Sequence, residues 1–457
     1  MSLNTRNHKV KLRSTVEQQL MASAISAADY SCMSTSSSTP RRLTATQVLP
    51  AIAGIYVSQT IITALTTQAL PSLLRSEGAS LTVASLAALL WMPWGIRFLW
   101  APWVERMRLP PGRLERRSRS LVLKGQWLMA AILVLLGLVS LVSQVSLDSF
   151  AIWLLAGLLL AAMVAASTDV ACDGFTVEQL AGQQRGWGNA VQVGGSYVGA
   201  TLGAGGFLLV AGKAGWPTAL VVVGLAIVLL GLPMLRLREP LRDQALAVDH
   251  RPGLWHALRR PQVRIGLLMI LLSSVGVRLT LGMFGPFMLD RGMSLEQVGW
   301  LFSSLHIGAG LTGAVLGGLL VRIAPGWRAV WIAVGLKACV LLVLTLAALA
   351  ASLTVLTILV GLTFAVLGCL WVALYSALMK LTSPLQAGVD FTVFQSADAL
   401  LAMAGGVAGG WLAEHLGYHF CFGLASTLMV IATGVVWRHV CTEKSAPVAS
   451  QGAVHAR

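Results

Sequence analysis

Charge is what this chain has least of: 11% of its 457 residues are Asp, Glu, Lys or Arg, about half the share in soluble domains. Apolar residues make up 56% and the mean hydropathy is +0.76, which excludes a soluble enzyme, a disordered tail and a collagen-like fibre. Cysteine is sparse as well. Cys32, Cys172, Cys339, Cys369, Cys421 and Cys441 show no C-x-x-C spacing, so neither a disulfide framework nor a zinc knuckle is indicated. The sequence also lacks a G-x-x-x-x-G-K-[ST] loop, an H-E-x-x-H pair and a G-x-S-x-G elbow. With no stretch large enough for an ATPase, active transport must draw on an ion gradient or on the substrate's own gradient. The chain reads as a non-enzyme with no cofactor and no resident metal. Its net charge of +15 would suggest nucleic acid in a soluble protein. Here the basic residues border long apolar runs and act as topology signals, so no nucleic-acid partner is expected.

Those runs are the dominant feature. Twelve lie near 47–70, 81–103, 121–142, 150–172, 187–211, 217–235, 265–288, 297–321, 328–349, 354–379, 390–412 and 420–437. Each is long enough for a helix to cross about 30 Å of hydrocarbon. The expected fold class is an all-α membrane protein with 12 transmembrane helices in two pseudo-symmetric six-helix bundles. Of the 33 Lys and Arg residues, Arg97, Arg278 and Lys337 fall deep within the runs, and Arg75, Lys213 and Arg291 fall in the loops of one face. The other 27 lie in or beside the tails and loops of the opposite face. The positive-inside rule makes that face cytoplasmic and puts both termini inside.

The expected organisation is a polar cytoplasmic tail over 1–46, bundles over 47–236 and 263–438, a charged cytoplasmic linker over 237–262 and a tail over 439–457. The first tail, with its Ser34–Thr39 run, has no apolar core and is not a cleavable signal. Met33 opens a shorter tail, and an over-extended start is expected there. Gln184-Arg185-Gly186 before run 5 matches Gln386-Ala387-Gly388 before run 11, each followed by a Gln, Gln192 and Gln395. That is where a duplicated half would place them.

The sharpest polar feature is Ser167-Thr168-Asp169-Val170-Ala171-Cys172-Asp173-Gly174 in run 4. Asp169 and Asp173, four apart, share a helix face. A charge at membrane depth costs at least about 2.5 kcal/mol, so these carboxylates must be paired, protonated or open to a water-filled cavity. Asp169 reads as a proton or cation carrier with Arg97 as candidate counter-ion. Asp173, nearer the interface, reads as a gate acid pairing with arginines of the Met107–Ser120 loop. In the second half Arg278, His306, Lys337 and Asp398 are costly at depth. Arg278 has no acid in its own run, so it faces Asp398 or another cavity acid, or awaits an anionic substrate. Lys337 reads as snorkelling to the interface, and His306 as a helix-bonded ring, a proton carrier or a metal ligand. Run 1 carries Tyr56, Ser58, Gln59, Thr60, Thr63, Thr66, Thr67 and Gln68, too many polar groups for a lipid-facing helix. Small-residue stripes at Gly195/Gly199/Gly203, Gly313/Gly317, Gly405/Gly409 and Gly406/Gly410 permit close packing, or surfaces that slide as access alternates.

This layout resembles the major facilitator superfamily over residues of about 45–440. Ala101-Pro102-Trp103-Val104-Glu105-Arg106 stands where that superfamily places G-x-x-x-D-R, with Ala for Gly and Glu for Asp. Three segments are similar to the branch holding the RhtX/FptX siderophore permeases, YbtX-like proteins and, more distantly, the AmpG muropeptide permease. They are Pro93-Trp94…Arg97-Phe98-Leu99-Trp100-Ala101-Pro102, Asp169-x-x-x-Asp173-Gly174, and Met379-Lys380-Leu381-Thr382-Ser383…Gln386-Ala387-Gly388-x-Asp390-Phe391-Thr392. The resemblance implies a monomeric transporter of a bacterial inner membrane, importing a small-molecule metal–siderophore chelate of iron or zinc. A muropeptide importer and a small-molecule exporter are the alternatives. The expected substrate residues are Gln59, Thr63, Arg97, Arg278, His306 and Gln395. Asp169 and Asp398 are the expected coupling carboxylates, and Glu105, Arg106, Asp173 and Asp390 the expected cytoplasmic gate.

Overall fold

The computed structural model describes residues 43–76, 90–143, 147–248 and 250–445. The polar tail, the start expected at Met33 and most of the second run's first half lie outside them. Among the described residues there is no strand, and eleven helices are long and apolar enough to cross a membrane. They are α1 (Ala45–Ala69), α3 (Ser118–Ser143), α4 (Ile152–Gln179), α5 (Gln184–Ala214), α6 (Trp216–Leu235) and α7 (Pro261–Asp290). The series continues with α8 (His306–Ile323), α9 (Trp327–Ala350), α10 (Leu353–Leu378), α11 (Ala387–Leu416) and α12 (Tyr418–Thr442). The second run supplies α2, which is broken into Met92–Ile96, a 3-10 turn at Arg97–Leu99, and Ala101–Arg108. Pro93 and Pro102 explain the break, since each is tolerated only in the first turn of its own helical piece.

Helix pairing repeats after six helices. α1 packs on α5 and α6, and α7 on α11 and α12; α3 packs on α4 and α6, and α9 on α10 and α12. The two sets meet through α5 with α8 and α10, and through α11 with α2 and α4. Single glycines at φ +84° make the turns from α5 to α6 (Gly215) and from α11 to α12 (Gly417), a conformation only glycine adopts cheaply.

Of the two readings of the small-residue stripes, the structure shows close packing. A Cβ on Gly199 or Gly203 would strike the α1 backbone, and one on Gly313 or Gly317 the α10 backbone. One on Gly405 or Gly409 would strike α7, while Gly406 has open space and Gly410 meets only the Met283 side chain at 3.7 Å. The close contacts are therefore inside one bundle or the other. The α5–α8 seam has glycines of its own, among them Gly310 under the Tyr197 ring, Gly318 under Trp187 and Gly186 against Val321.

Candidate substrate cavity and its closure

A cavity of about 480 Å³ lies between the two sets of helices. Its wall includes Gln59 and Thr63 of α1, Arg97 of α2, Asp169 of α4, Arg278 of α7, His306 of α8, and Gln395 and Asp398 of α11. Single-turn π segments at Leu65–Ala69, Thr201–Gly206 and Leu301–Leu305 interrupt α1, α5 and the entry to α8 beside this wall, a distortion frequent at functional sites.

Arg97 stands at the break in α2, almost fully buried. One guanidinium nitrogen pairs with Asp169, and the other donates to the Gln395 side-chain oxygen across the interface between the bundles. Trp100 Nε1 donates to Ser167 Oγ at 3.0 Å and ties the break to α4. The Gln59 amide, turned with its nitrogen toward the carboxylate, donates to Asp169 and accepts from the Asp169 backbone N–H at 3.1 Å. On the other side Arg278 Nη2 pairs with Asp398 at 2.5 Å, under the hydroxyl of Tyr375, which donates to the same carboxylate at 2.9 Å. The Arg278 guanidinium also lies 5.2 Å from the Trp371 ring centre, within cation–π range. Of the two options open for Arg278, the structure contains the carboxylate pair. The Thr63 hydroxyl bonds back to the Gln59 carbonyl at 3.1 Å. The His306 ring packs 4.2 Å from Phe364 and edge-on to Tyr197 at 5.2 Å.

Two expectations need correction. Asp173 does not meet the loop arginines. It is fully buried one turn beyond Asp169, where its Oδ1 accepts from the Tyr56 hydroxyl at 2.9 Å and from Gln192 Nε2 at 3.2 Å. The helix face it shares with Asp169 turns toward α1 and α5, and Glu178, further along α4, reaches the loop instead. Lys337 does not snorkel. It is 1% exposed and donates to the Thr363 carbonyl of α10 at 2.9 Å, because α10 and α12 cover its helix on both sides.

The face that carries the linker between α6 and α7 is sealed by two ionic clusters. In the first, Arg108 donates to Glu105 at 2.7 Å and to Glu178 at 2.7 Å, and Arg116 reaches Glu178 at 3.7 Å. Gly174 leaves room for the guanidinium: a Cβ there would stand 2.9 Å from it. Burial opposes the Arg108 charge, but the Glu105 and Glu178 carboxylates outweigh it and hold its pKa above the usual arginine value. Glu105 also accepts from the Gly388 backbone N–H at 3.4 Å, in the first turn of α11, where a carboxylate complements the helix dipole. In the second cluster Asp390 pairs with Arg260 and accepts from Ser383 N at 2.8 Å and Gln386 Nε2 at 2.7 Å. Asn189 of α5 and Ser376 of α10 complete the seam at 3.2 Å. The linker lies over both clusters. Arg106 donates to the Pro252 carbonyl at 3.2 Å, Gly112 to Ala247, Gly253 to Gln386, and His250 Nδ1 meets the Leu385 carbonyl at 2.7 Å.

Beyond Tyr56 of run 1, sequence reasoning missed the aromatic wall of Trp91, Trp94, Tyr197, Phe364, Trp371 and Tyr375. Near a helix end, Trp94 is equally compatible with the interfacial aromatic belt. The available signal was the spacing of Trp371 and Tyr375, four apart and so on one helix face. Among the described residues no group of three or more His, Cys, Asp or Glu side chains converges on a metal site.

A two-bundle helical fold around a central cavity, closed on one face, defines a secondary transporter. A sequence profile of the Major Facilitator Superfamily matches residues 48–404, and the chain belongs to that superfamily. Among solved structures it is similar to the proton:xylose symporter XylE (14% identity, TM-score 0.63, covering 86% of this chain and 95% of that one). It is also similar to a bacterial homologue of the iron transporter ferroportin in an outward-facing state (17%, 0.62, 86% and 98%). The E. coli fucose:proton symporter FucP is a third (12%, 0.64, 85% and 97%). At these identities the likeness shows the fold.

Proposed function

We propose that the protein imports a small metal–siderophore chelate across a bacterial inner membrane, with the linker face cytoplasmic and the present conformer open outward. The observation that carries this reading is the cavity itself: two arginines, Arg97 and Arg278, in one aromatic-walled space of about 480 Å³. Arginine forks recognise carboxylates and phenolates, and the indole and phenol rings offer faces to planar ligand groups. The volume fits one drug-sized ligand. The aromatic wall also favours a second reading, a sugar-peptide importer, since rings stack on sugars. A disaccharide carrying a peptide is the bulkier cargo for this space.

Proton coupling is assigned to the Asp169–Asp173 pair. Asp398 is paired with Arg278 and Asp169 with Arg97, whereas Asp173, one turn on, is fully buried against the neutral donors Tyr56 and Gln192, and a buried carboxylate without a cation is neutralised by a proton. The test is tryptophan quenching of the purified protein, with Trp91, Trp94 and Trp371 as reporters. A ferric phenolate–carboxylate siderophore is predicted to quench saturably and Arg97→Ala to abolish the effect. Saturable quenching by an anhydro-muropeptide, with none by the chelate, would select the second reading.

A further inference from the structure

We propose that Gln395 is a positioning residue that ties the ionic state of the cavity to the closure of the linker face. The proposal rests on alternating access and not on the identity of the substrate. Three bonds join α2 to α11, and two of them carry the coupling. The first, in the cavity, runs from the Arg97 guanidinium to the Gln395 oxygen; the second, on the linker face, from the Gly388 N–H to Glu105. Gln395 and Gly388 are seven residues apart, about 10 Å along one continuous helix. Arg97 stands in the break in α2 and Glu105 beyond it. A change at the first bond therefore reaches the second through one rigid rod on the α11 side and a jointed one on the α2 side. Ser396 reaches the Trp94 carbonyl at 3.5 Å and keeps the upper contact in register.

The chemistry of the first bond makes it breakable. Gln395 offers Arg97 a neutral amide oxygen, while Asp169 offers a carboxylate. Charged acceptors bind a guanidinium more strongly than neutral ones. An anion entering the cavity displaces Gln395 before it displaces Asp169. The closure is then left to the Glu105 contact at 3.4 Å, the linker and the Asn189–Ser376 bond. Gln395 would so serve as the yielding partner that lets an anionic cargo begin to open the linker face.

The experiment places a single reporter, Ser376→Cys, in the closed seam of a background whose six native cysteines are replaced. An impermeant maleimide is applied from the linker face, and no transported substrate is added. Gln395→Met keeps the volume and deletes the acceptor, and is expected to raise the labelling rate on the order of tenfold. Gln395→Glu supplies a carboxylate that Arg97 holds more firmly, and is expected to lower the rate by a similar factor. A merely structural residue would move both variants the same way or neither, and either result overturns the proposal. Should Gln395→Met fail to accumulate, Gln395→Glu decides alone, and an unchanged or faster rate refutes it. Because no cargo is present, the outcome is independent of whether the chelate reading holds.

Discussion

Replacing Arg278 by Ala removes the cation that neutralises Asp398, a carboxylate only 3% exposed. What remains is the Tyr375 hydroxyl at 2.9 Å, one neutral donor for a buried anion. Stranding a buried charge costs about 3–5 kcal/mol, and the lost stacking on Trp371 adds about 0.5–1 kcal/mol. For a cooperative unit the size of one bundle, each kcal/mol moves the melting point by about 2–4 °C. Arg278→Ala should therefore melt roughly 7–24 °C below the wild type. The double variant Arg278→Ala/Asp398→Ala has no stranded charge and should melt above the single one, despite removing more atoms. Thermal unfolding of the purified protein, followed by tryptophan fluorescence across all four members of the cycle, measures this directly. Strict additivity, within about 0.5 kcal/mol, would refute the pair as a source of stability.

Two further outcomes follow from the linker face. Arg108→Ala leaves Glu105 without its cation and Glu178 with Arg116 at 3.7 Å, so membrane abundance should fall more than for Arg106→Ala, whose one bond is to a carbonyl of the linker; equal abundance by quantitative blot would contradict the buried cluster. His250 is lowered from the usual 6.5 by burial first and by Arg242 second, so the docked linker holds it neutral. The sign is that of a depressed base: the unfolded or undocked form takes the proton first. Docking is complete above about pH 6.5 and weakens as pH falls toward the lowered value. Proteolysis within the linker should accelerate over that window and lose its pH dependence in His250→Asn.

Helix number and the costly residues at depth were legible because each is a property of one segment, whereas the break at Pro93 and Pro102 falls inside a run, 81–103, that reads as one span. Apolar length and charge position along a single helix need no partner to be read. What one segment does not encode is which neighbour a face meets. Asp173 shares its helix face with Asp169, and the spacing showed that. Only the packing of α1 and α5 shows that the face ends on Tyr56 and Gln192 rather than on the loop arginines. The glycine stripes marked close approach correctly, but their partners, inside each bundle, depend on the three-dimensional pairing. The aromatic wall was hidden for the same reason, since a tryptophan near a helix end is equally at home in the interface.

The most direct test of the chelate reading is uptake into proteoliposomes under an inward proton gradient, with radiolabelled iron supplied as a ferric phenolate–carboxylate siderophore. The account predicts accumulation that depends on the gradient, is lost in Arg97→Ala and in Asp169→Asn/Asp173→Asn, and is absent when the label is supplied as the free ion. Failure of the folded wild-type protein to accumulate the chelate while it accumulates an anhydro-muropeptide would contradict it.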